Sequence, residues 1–108
     1  MTLRDVVVEK VQALRTALEN AARDQPEAQS LLQAMDEELR GLERGAIALP
    51  YALSHWGIYV MPDHRIYESH PEVTKAFGAL ELVIEHSDLE SYEKRRAMLE
   101  EMARPFQR

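Results

Sequence analysis

Histidine and carboxylate side chains are the residues of this sequence that could hold a metal ion or move a proton. The histidines are His55, His64, His70 and His86, and the acids that could join them are Asp63, Glu81, Glu85 and Asp88. A metal site needs several ligands at spacings that let them converge, and neither HxxxH nor HExxH occurs in the sequence. We therefore expect no metal site. His64 is expected in a turn and His70 at a helix start, each as a solvated or capping imidazole.

His55 differs from the other histidines because it lies next to Trp56 in an uncharged stretch. Three roles suit it: a hydrogen-bonded core histidine, a polar anchor in a binding surface, or a catalytic base. Histidine changes charge near neutral pH, which is compatible with all three roles. The sequence leaves them open, with the core role favoured.

Acidic residues on two predicted helices suggest a second kind of chemistry. The residues are Glu37, Glu38 and Glu43 on one helix, and Glu81, Glu85 and Asp88 around the end of another. Carboxylates on facing helices can hold Mg²⁺ against phosphates. This spacing loosely resembles the paired acidic motifs of the MazG-like pyrophosphatases, although their second glutamate pattern is absent. The resemblance implies an all-α Mg-dependent nucleotide hydrolase, which we keep as the alternative function.

Nucleophilic catalysis has weaker support. The sequence has no cysteine, no GxSxG motif and no glycine-rich phosphate loop. Ser54 and His55 are adjacent, and adjacent side chains seldom activate one another. We therefore predict no catalytic residues and no cofactor.

The uncharged stretch from Gly45 to Pro62 is the strongest candidate for recognition. In a chain that is 30% charged, so many apolar side chains must be buried in the core or reserved for a partner. Tyrosine and tryptophan are favoured interface anchors because they bury a large area at low entropic cost. The predicted partner-binding residues are Tyr51, His55, Trp56, Tyr59, Met61 and Tyr67.

Composition limits the class of protein. The 108 residues suit one domain, 1–108, with a single core. The net charge of −6 includes no basic arm, so we expect no nucleic-acid binding. No apolar run is long enough to span a membrane, and the N-terminal sequence lacks the features of a secretory signal. Because cysteine is absent, we expect a cytoplasmic protein.

Four helix starts are visible as a short oxygen-bearing residue three positions before an acid, the capping-box spacing. The four segments are Thr2–Asp5, Asp24–Glu27, Ser69–Glu72 and Ser87–Glu90. They predict a mainly α protein. An antiparallel helical hairpin covers about 3–23 and 26–44, and two further helices cover about 70–86 and 88–103. Alternating apolar residues around a Pro-Asp turn predict a short β-hairpin at 57–68.

Apolar residues at 4-3-4-3 spacing form a stripe on each of the first two helices. The stripes are Val7, Val11, Leu14, Leu18 and Ala21, then Ala28, Leu32, Met35, Leu39 and Leu42. Two helices cannot cover both stripes, so the later helices or a second copy must do so, and we expect a homodimer. Gly41 and Gly78, inside predicted helices, are attributed to close helix packing.

These observations predict a small cytoplasmic regulatory protein that binds another protein and inhibits or modulates it. Anti-activators of transcription factors, antitoxins and immunity proteins are the types that such a small acidic chain suits. The absence of any recognised catalytic motif favours this function over the hydrolase alternative.

Overall fold

Four α-helices make up the described part of the chain. The computed structural model describes residues 1–53 and 70–103. The helices are α1 (Leu3–Ala21), α2 (Pro26–Arg44), α3 (Pro71–Ile84) and α4 (Leu89–Ala103). The mainly α prediction is confirmed, and the described ranges contain no strand. The β-hairpin predicted at 57–68 lies outside the described residues.

The helix bounds follow from local hydrogen bonding. At the start of α1, the Thr2 hydroxyl accepts from the Asp5 N–H at 3.2 Å while the Thr2 N–H donates to the Asp5 carboxylate at 2.9 Å, so the predicted capping box is confirmed. Two predicted ends are two residues too long. We expected helices to 23 and 86, but α1 ends at Ala21 and α3 ends at Ile84, where turns begin.

The caps of the other three helices lie one residue later than predicted. The residue before α2 is Gln25 and the residue before α3 is His70, neither with a side-chain capping bond. Proline at the first position of each helix restricts the residue before it, which shifts the start. The α4 start is capped by Asp88 rather than by Ser87, since the Asp88 carboxylate accepts from the Ser91 N–H at 2.7 Å.

Helix α1 is central and packs against both α2 and α3. Its whole predicted stripe is buried, and the stripe of α2 is buried except for Leu32, which is half-buried beside a fully buried Leu31. The buried residues of α3 are Val73, Phe77, Leu80, Val83 and Ile84. The largest fully buried side chain is Phe77, so the core forms where these three helices meet.

Helix α4 contributes much less to the core. Tyr92 is its buried residue and Leu89 is partly buried against the core, whereas Met98 and Met102 are 45% and 61% exposed. Among the described residues, the side chains of α4 that pack against the core, Leu89 and Tyr92, therefore lie in its first turn. Within residues 1–53 and 70–103, no helix combines the length and the apolar character needed to cross a membrane.

Charged contacts tie α1 to α2 along their lengths. Arg15 of α1 lies 3.0 Å from Asp36 and 2.9 Å from Glu43, both on α2. The Arg4 guanidinium donates to the Glu43 carbonyl oxygen at 3.3 and 3.4 Å. This carbonyl lies in the last turn of α2, which ends at Gly45 in the left-handed conformation that glycine favours.

The two glycines attributed to close packing have different surroundings. A Cβ at Gly41 would lie 2.8 Å from the Ile47 side chain, so Gly41 is closely packed, but against the segment that follows α2 and not against another helix. Among the described residues, nothing lies within 4 Å of a Cβ added at Gly78, and this glycine is exposed. Close packing therefore does not account for Gly78, and that interpretation was wrong.

Candidate functional site

An open, apolar groove lies between α1 and α3. We call it the α1/α3 groove, and its volume is about 560 Å³. The residues that line it are Lys10, Gln12, Ala13, Thr16, Ala17 and Asn20 of α1, and Glu72, Lys75, Ala76 and Ala79 of α3. Its floor is apolar and its rim is polar and charged.

Small side chains create the groove. Ala13 and Ala17 are one helical turn apart on α1, and Ala76 and Ala79 occupy the facing part of α3. A methyl group cannot fill the space between two helices that larger core side chains hold apart, such as Leu14 and Phe77. Alanine also favours the helix, so the groove costs α1 and α3 no local stability.

Contacts at both ends of α3 set the direction in which it runs beside α1. At the start of α3, the His70 ring lies 3.0 Å from Asp24, which follows the end of α1. Beyond the other end, the Tyr51 N–H donates to the Ile84 carbonyl oxygen at 2.8 Å. The start of α3 therefore lies beside the end of α1, which places Glu72 near Asn20 and far from Lys10.

Charge is distributed unevenly along the rim. Glu72 marks the end of the groove near Asn20, and Lys10 marks the other end, with Lys75 one turn into α3. Positions 10 and 20 of a helix are about 15 Å apart. Such a groove, apolar along its floor and charged at its ends, suits an amphipathic helix whose apolar face lies inward.

One of the predicted partner-binding residues, Tyr51, lies within the described ranges. Its side chain is half-buried against the core, and its hydroxyl donates to the Glu38 carboxylate. It therefore joins α2 to the end of α3. The other predicted residues, His55, Trp56, Tyr59, Met61 and Tyr67, lie outside the described residues, and the aromatic binding site remains a prediction.

The histidines in the described ranges make structural contacts. His70 lies at the start of α3 as predicted, and its ring nitrogens are each 3.0 Å from a carboxylate oxygen, one of Asp24 and one of Glu72. His86 Nδ1 lies 2.8 Å from the Leu82 carbonyl oxygen, and its ring packs edge-on against Tyr92. His55 and His64 lie outside the described residues.

The acids considered for a magnesium site are partly engaged elsewhere. Glu43 is paired with Arg15, and Glu38 accepts the Tyr51 hydroxyl. Across residues 1–53 and 70–103, no three histidine or acidic side chains converge closely enough to hold a metal ion.

In the part of the chain that the structure describes, three side chains have pKa values displaced from their usual range. Hydrogen bonds from Thr2 lower the pKa of Asp5, and those from Ser91 lower the pKa of Asp88, because both favour the ionised carboxylate. For Arg15, desolvation lowers the pKa, but hydrogen bonds to Asp36 and Glu43 outweigh it and raise the pKa above its usual value. All three groups stabilise helices or their contacts and lie outside the groove.

Comparison with known proteins assigns no relationship: no family model, curated protein or solved structure matches the chain. Sequence reasoning also missed the α1/α3 groove. The signal available was the pair of alanines at i and i+4 beside the apolar stripe of α1. Such a pair marks a groove only once α3 is known to pack beside it.

Proposed function

We propose that this chain is a small cytoplasmic regulatory protein that binds a partner protein and inhibits or modulates it. The observation that carries this proposal is the α1/α3 groove, with its alanine floor and charged ends. The ligand we assign to it is an amphipathic helix of the partner. Anti-activators, antitoxins and immunity proteins are the types of regulator that fit a chain of this size.

The chemistry of the groove specifies what that helix carries. A floor of alanines takes long apolar side chains such as leucine or methionine at positions i and i+4. Each such side chain contributes about 1.5–3 kcal/mol when it is fully buried. An acidic residue near Lys10 or Lys75 and a basic residue near Glu72 fix the direction of the helix, because opposite charges select one orientation.

We also propose that α1 and α2 form the antiparallel hairpin expected from the sequence. The contact between Arg4 in the first turn of α1 and Glu43 in the last turn of α2 supports it. So does the short connection between Ala21 and Pro26. This hairpin is the rigid support on which α3 lies, and it keeps one wall of the groove fixed.

The aromatic segment is a second proposed contact with the partner. Trp56 and Tyr59 are its principal anchors, since aromatic side chains dominate interface energies. A partner that spans both surfaces loses affinity when either is altered. The two contributions can therefore be separated by changing one surface at a time.

The test blocks the groove without unfolding the protein. We expect Ala13→Arg to lower partner affinity at least tenfold, because Ala13 is exposed at the groove and a long charged side chain occupies the helix position. Ala34→Arg is the matched control, since Ala34 is an exposed alanine of α2 outside the groove. The measurement is quantitative capture of the partner by the immobilised full chain, with thermal melts of each variant.

Two further variants complete the test. Trp56→Ala and Tyr59→Ala are expected to weaken capture about 30-fold or more while the melting curve is retained. A chain with Ala13→Arg that captures the same partner as strongly as the wild type contradicts the groove assignment. Loss of capture in the Ala34→Arg control as well would show a general effect of added positive charge.

A further inference from the structure

Helix α4 carries an apolar surface that the other described parts of the chain leave exposed. Beyond Tyr92, the exposed side chains include Met98 at 45% and Met102 at 61% of their full accessible area, and Leu99 is half-buried. An isolated helix of this length is only marginally stable in water and needs packing against another surface. The second half of α4 therefore lacks packing that the first half has.

Met98 and Met102 have the spacing that the α1/α3 groove accepts. They lie four residues apart, about 6 Å along the helix, which matches the spacing of Ala13 and Ala17 on the groove floor. Methionine is long and flexible, so it adapts to a floor of small side chains. The uncovered surface and the unfilled groove are complementary in size.

Charges near the two methionines follow the same order as the charges at the two ends of the groove. Arg95 and Glu101 lie on either side of Met98 and are six residues apart, about 9 Å along α4. When Arg95 of the docked α4 lies toward Glu72 of the groove, Glu101 of α4 lies toward Lys10 of the groove. Both pairs then bring opposite charges together. The reverse orientation places like charges at each end. The groove therefore selects one direction of α4.

We infer that α4 of a second copy of this chain occupies the α1/α3 groove. In the resulting dimer, the groove of each protomer binds the Met98–Met102 surface of the other protomer. This inference rests on the proposed function, because it assigns an occupant to the same groove. Self-association and partner binding then compete for one site. In the homodimer both grooves are occupied by α4, so a partner helix must displace α4 to bind.

The experiment compares the mass of the full chain in solution with the masses of two variants. We expect wild-type protein to pass from 12.4 kDa to twice that mass as its concentration rises through the micromolar range, as measured by light scattering or analytical ultracentrifugation. Met98→Gln combined with Met102→Gln removes the apolar surface at unchanged net charge. Ala13→Arg blocks the groove. Each variant is expected to raise the dimer dissociation constant at least tenfold.

Mixing the two variants tests the direct contact between the surfaces. The Ala13→Arg chain retains an intact α4, and the Met98→Gln/Met102→Gln chain retains an intact groove. A heterodimer of the two variants therefore keeps one of the two contacts between α4 and the groove. The mixture should associate more tightly than either variant alone. Glu93→Gln, on the opposite side of α4, and Ala34→Arg are controls that should dimerise like the wild type.

Three results would overturn the inference: a wild-type chain that stays monomeric, a dimer whose dissociation constant neither variant changes, or a mixture of the variants that associates no more tightly than either variant alone. Each is distinguishable from failure of the proposed function. Partner capture that depends on Ala13 in a chain that never dimerises supports the function alone. A dimer that depends on both surfaces, together with no groove-dependent capture, supports the inference alone.

Discussion

Asp5 and Asp88 illustrate how single side chains set the ends of helices. Asp5 accepts from the Thr2 N–H at 2.9 Å, and Asp88 accepts from the Ser91 N–H at 2.7 Å. Each bond satisfies a backbone N–H that the helix itself leaves unpaired. The same bonds favour the ionised carboxylate, which is why the pKa of each aspartate lies below 3.8.

These lowered pKa values predict an acid-dependent loss of stability. A carboxyl whose pKa is lower in the folded state stabilises the fold above its unfolded pKa, near 3.8, and this stabilisation disappears as the pH falls through the folded value. We expect Asp5→Asn combined with Asp88→Asn to lower the Tm at pH 7. The difference from the wild type should shrink toward zero as the pH falls below 3.8.

Thermal melts between pH 2 and 7 measure this effect. Glu19→Gln combined with Glu93→Gln controls for the loss of two exposed carboxylates that cap no helix. A Tm difference that stays constant over the whole pH range would contradict a role for the ionised caps.

At the scale of helices, glycine has opposite consequences in α2 and α3. Glycine in a helix interior costs about 1 kcal/mol relative to alanine. In α2, Gly41 is buried and Ile47 packs directly over it, so the cost is offset by close packing. In α3, Gly78 is exposed, and no atom of residues 1–53 or 70–103 lies close enough to use the space left by its missing side chain.

We expect Gly78→Ala to raise the free energy of unfolding by about 1 kcal/mol, since it adds helix propensity in open space. Gly41→Ala is the matched variant. Its Cβ would lie 2.8 Å from Ile47 Cδ1 and 2.9 Å from Ile47 Cγ1, so we expect no gain or a net loss. Urea denaturation of both variants measures the contrast, and a Gly41→Ala protein as stabilised as Gly78→Ala would refute it.

For the molecule as a whole, stability is concentrated around α1. This helix packs on both α2 and α3, whereas α4 packs on α3 through few residues. Leu14 at the centre of α1 is completely buried, and Leu99 in the second half of α4 is only half-buried. The fold therefore depends on α1 far more than on α4, which leaves α4 free to take part in association.

The same deletion in the two helices should reveal this difference. Leu14→Ala is expected to lower the free energy of unfolding by about 2–5 kcal/mol, because it opens a cavity in a close-packed core. Leu99→Ala should cost about 1 kcal/mol or less in the monomer, since water already reaches that side chain. Urea denaturation at concentrations below dimer formation provides the comparison. If both variants lost the same free energy of unfolding, α4 would belong to the core as much as α1 does, and the prediction would be wrong.

Local features of the sequence determined the helices of this protein. The Thr2–Asp5 capping box, the stripe along α1 and the glycine at position 45 each act within one or two helical turns, so their effect does not require knowledge of the rest of the fold. The sequence pattern placed three helix caps one residue too early, because a proline or a neighbouring aspartate decided the cap.

Tertiary structure alone decided what the helices form together. Ala13 and Ala76 are ordinary helix residues by sequence, and they become the floor of a groove because α3 packs beside α1. His70 contacts Asp24, and Tyr51 contacts Ile84. Each pair is far apart in the sequence, so no local sequence pattern predicts the contact. The physical reason is that a groove is volume left unfilled between two elements. Its existence depends on how larger side chains elsewhere set the distance between the helices.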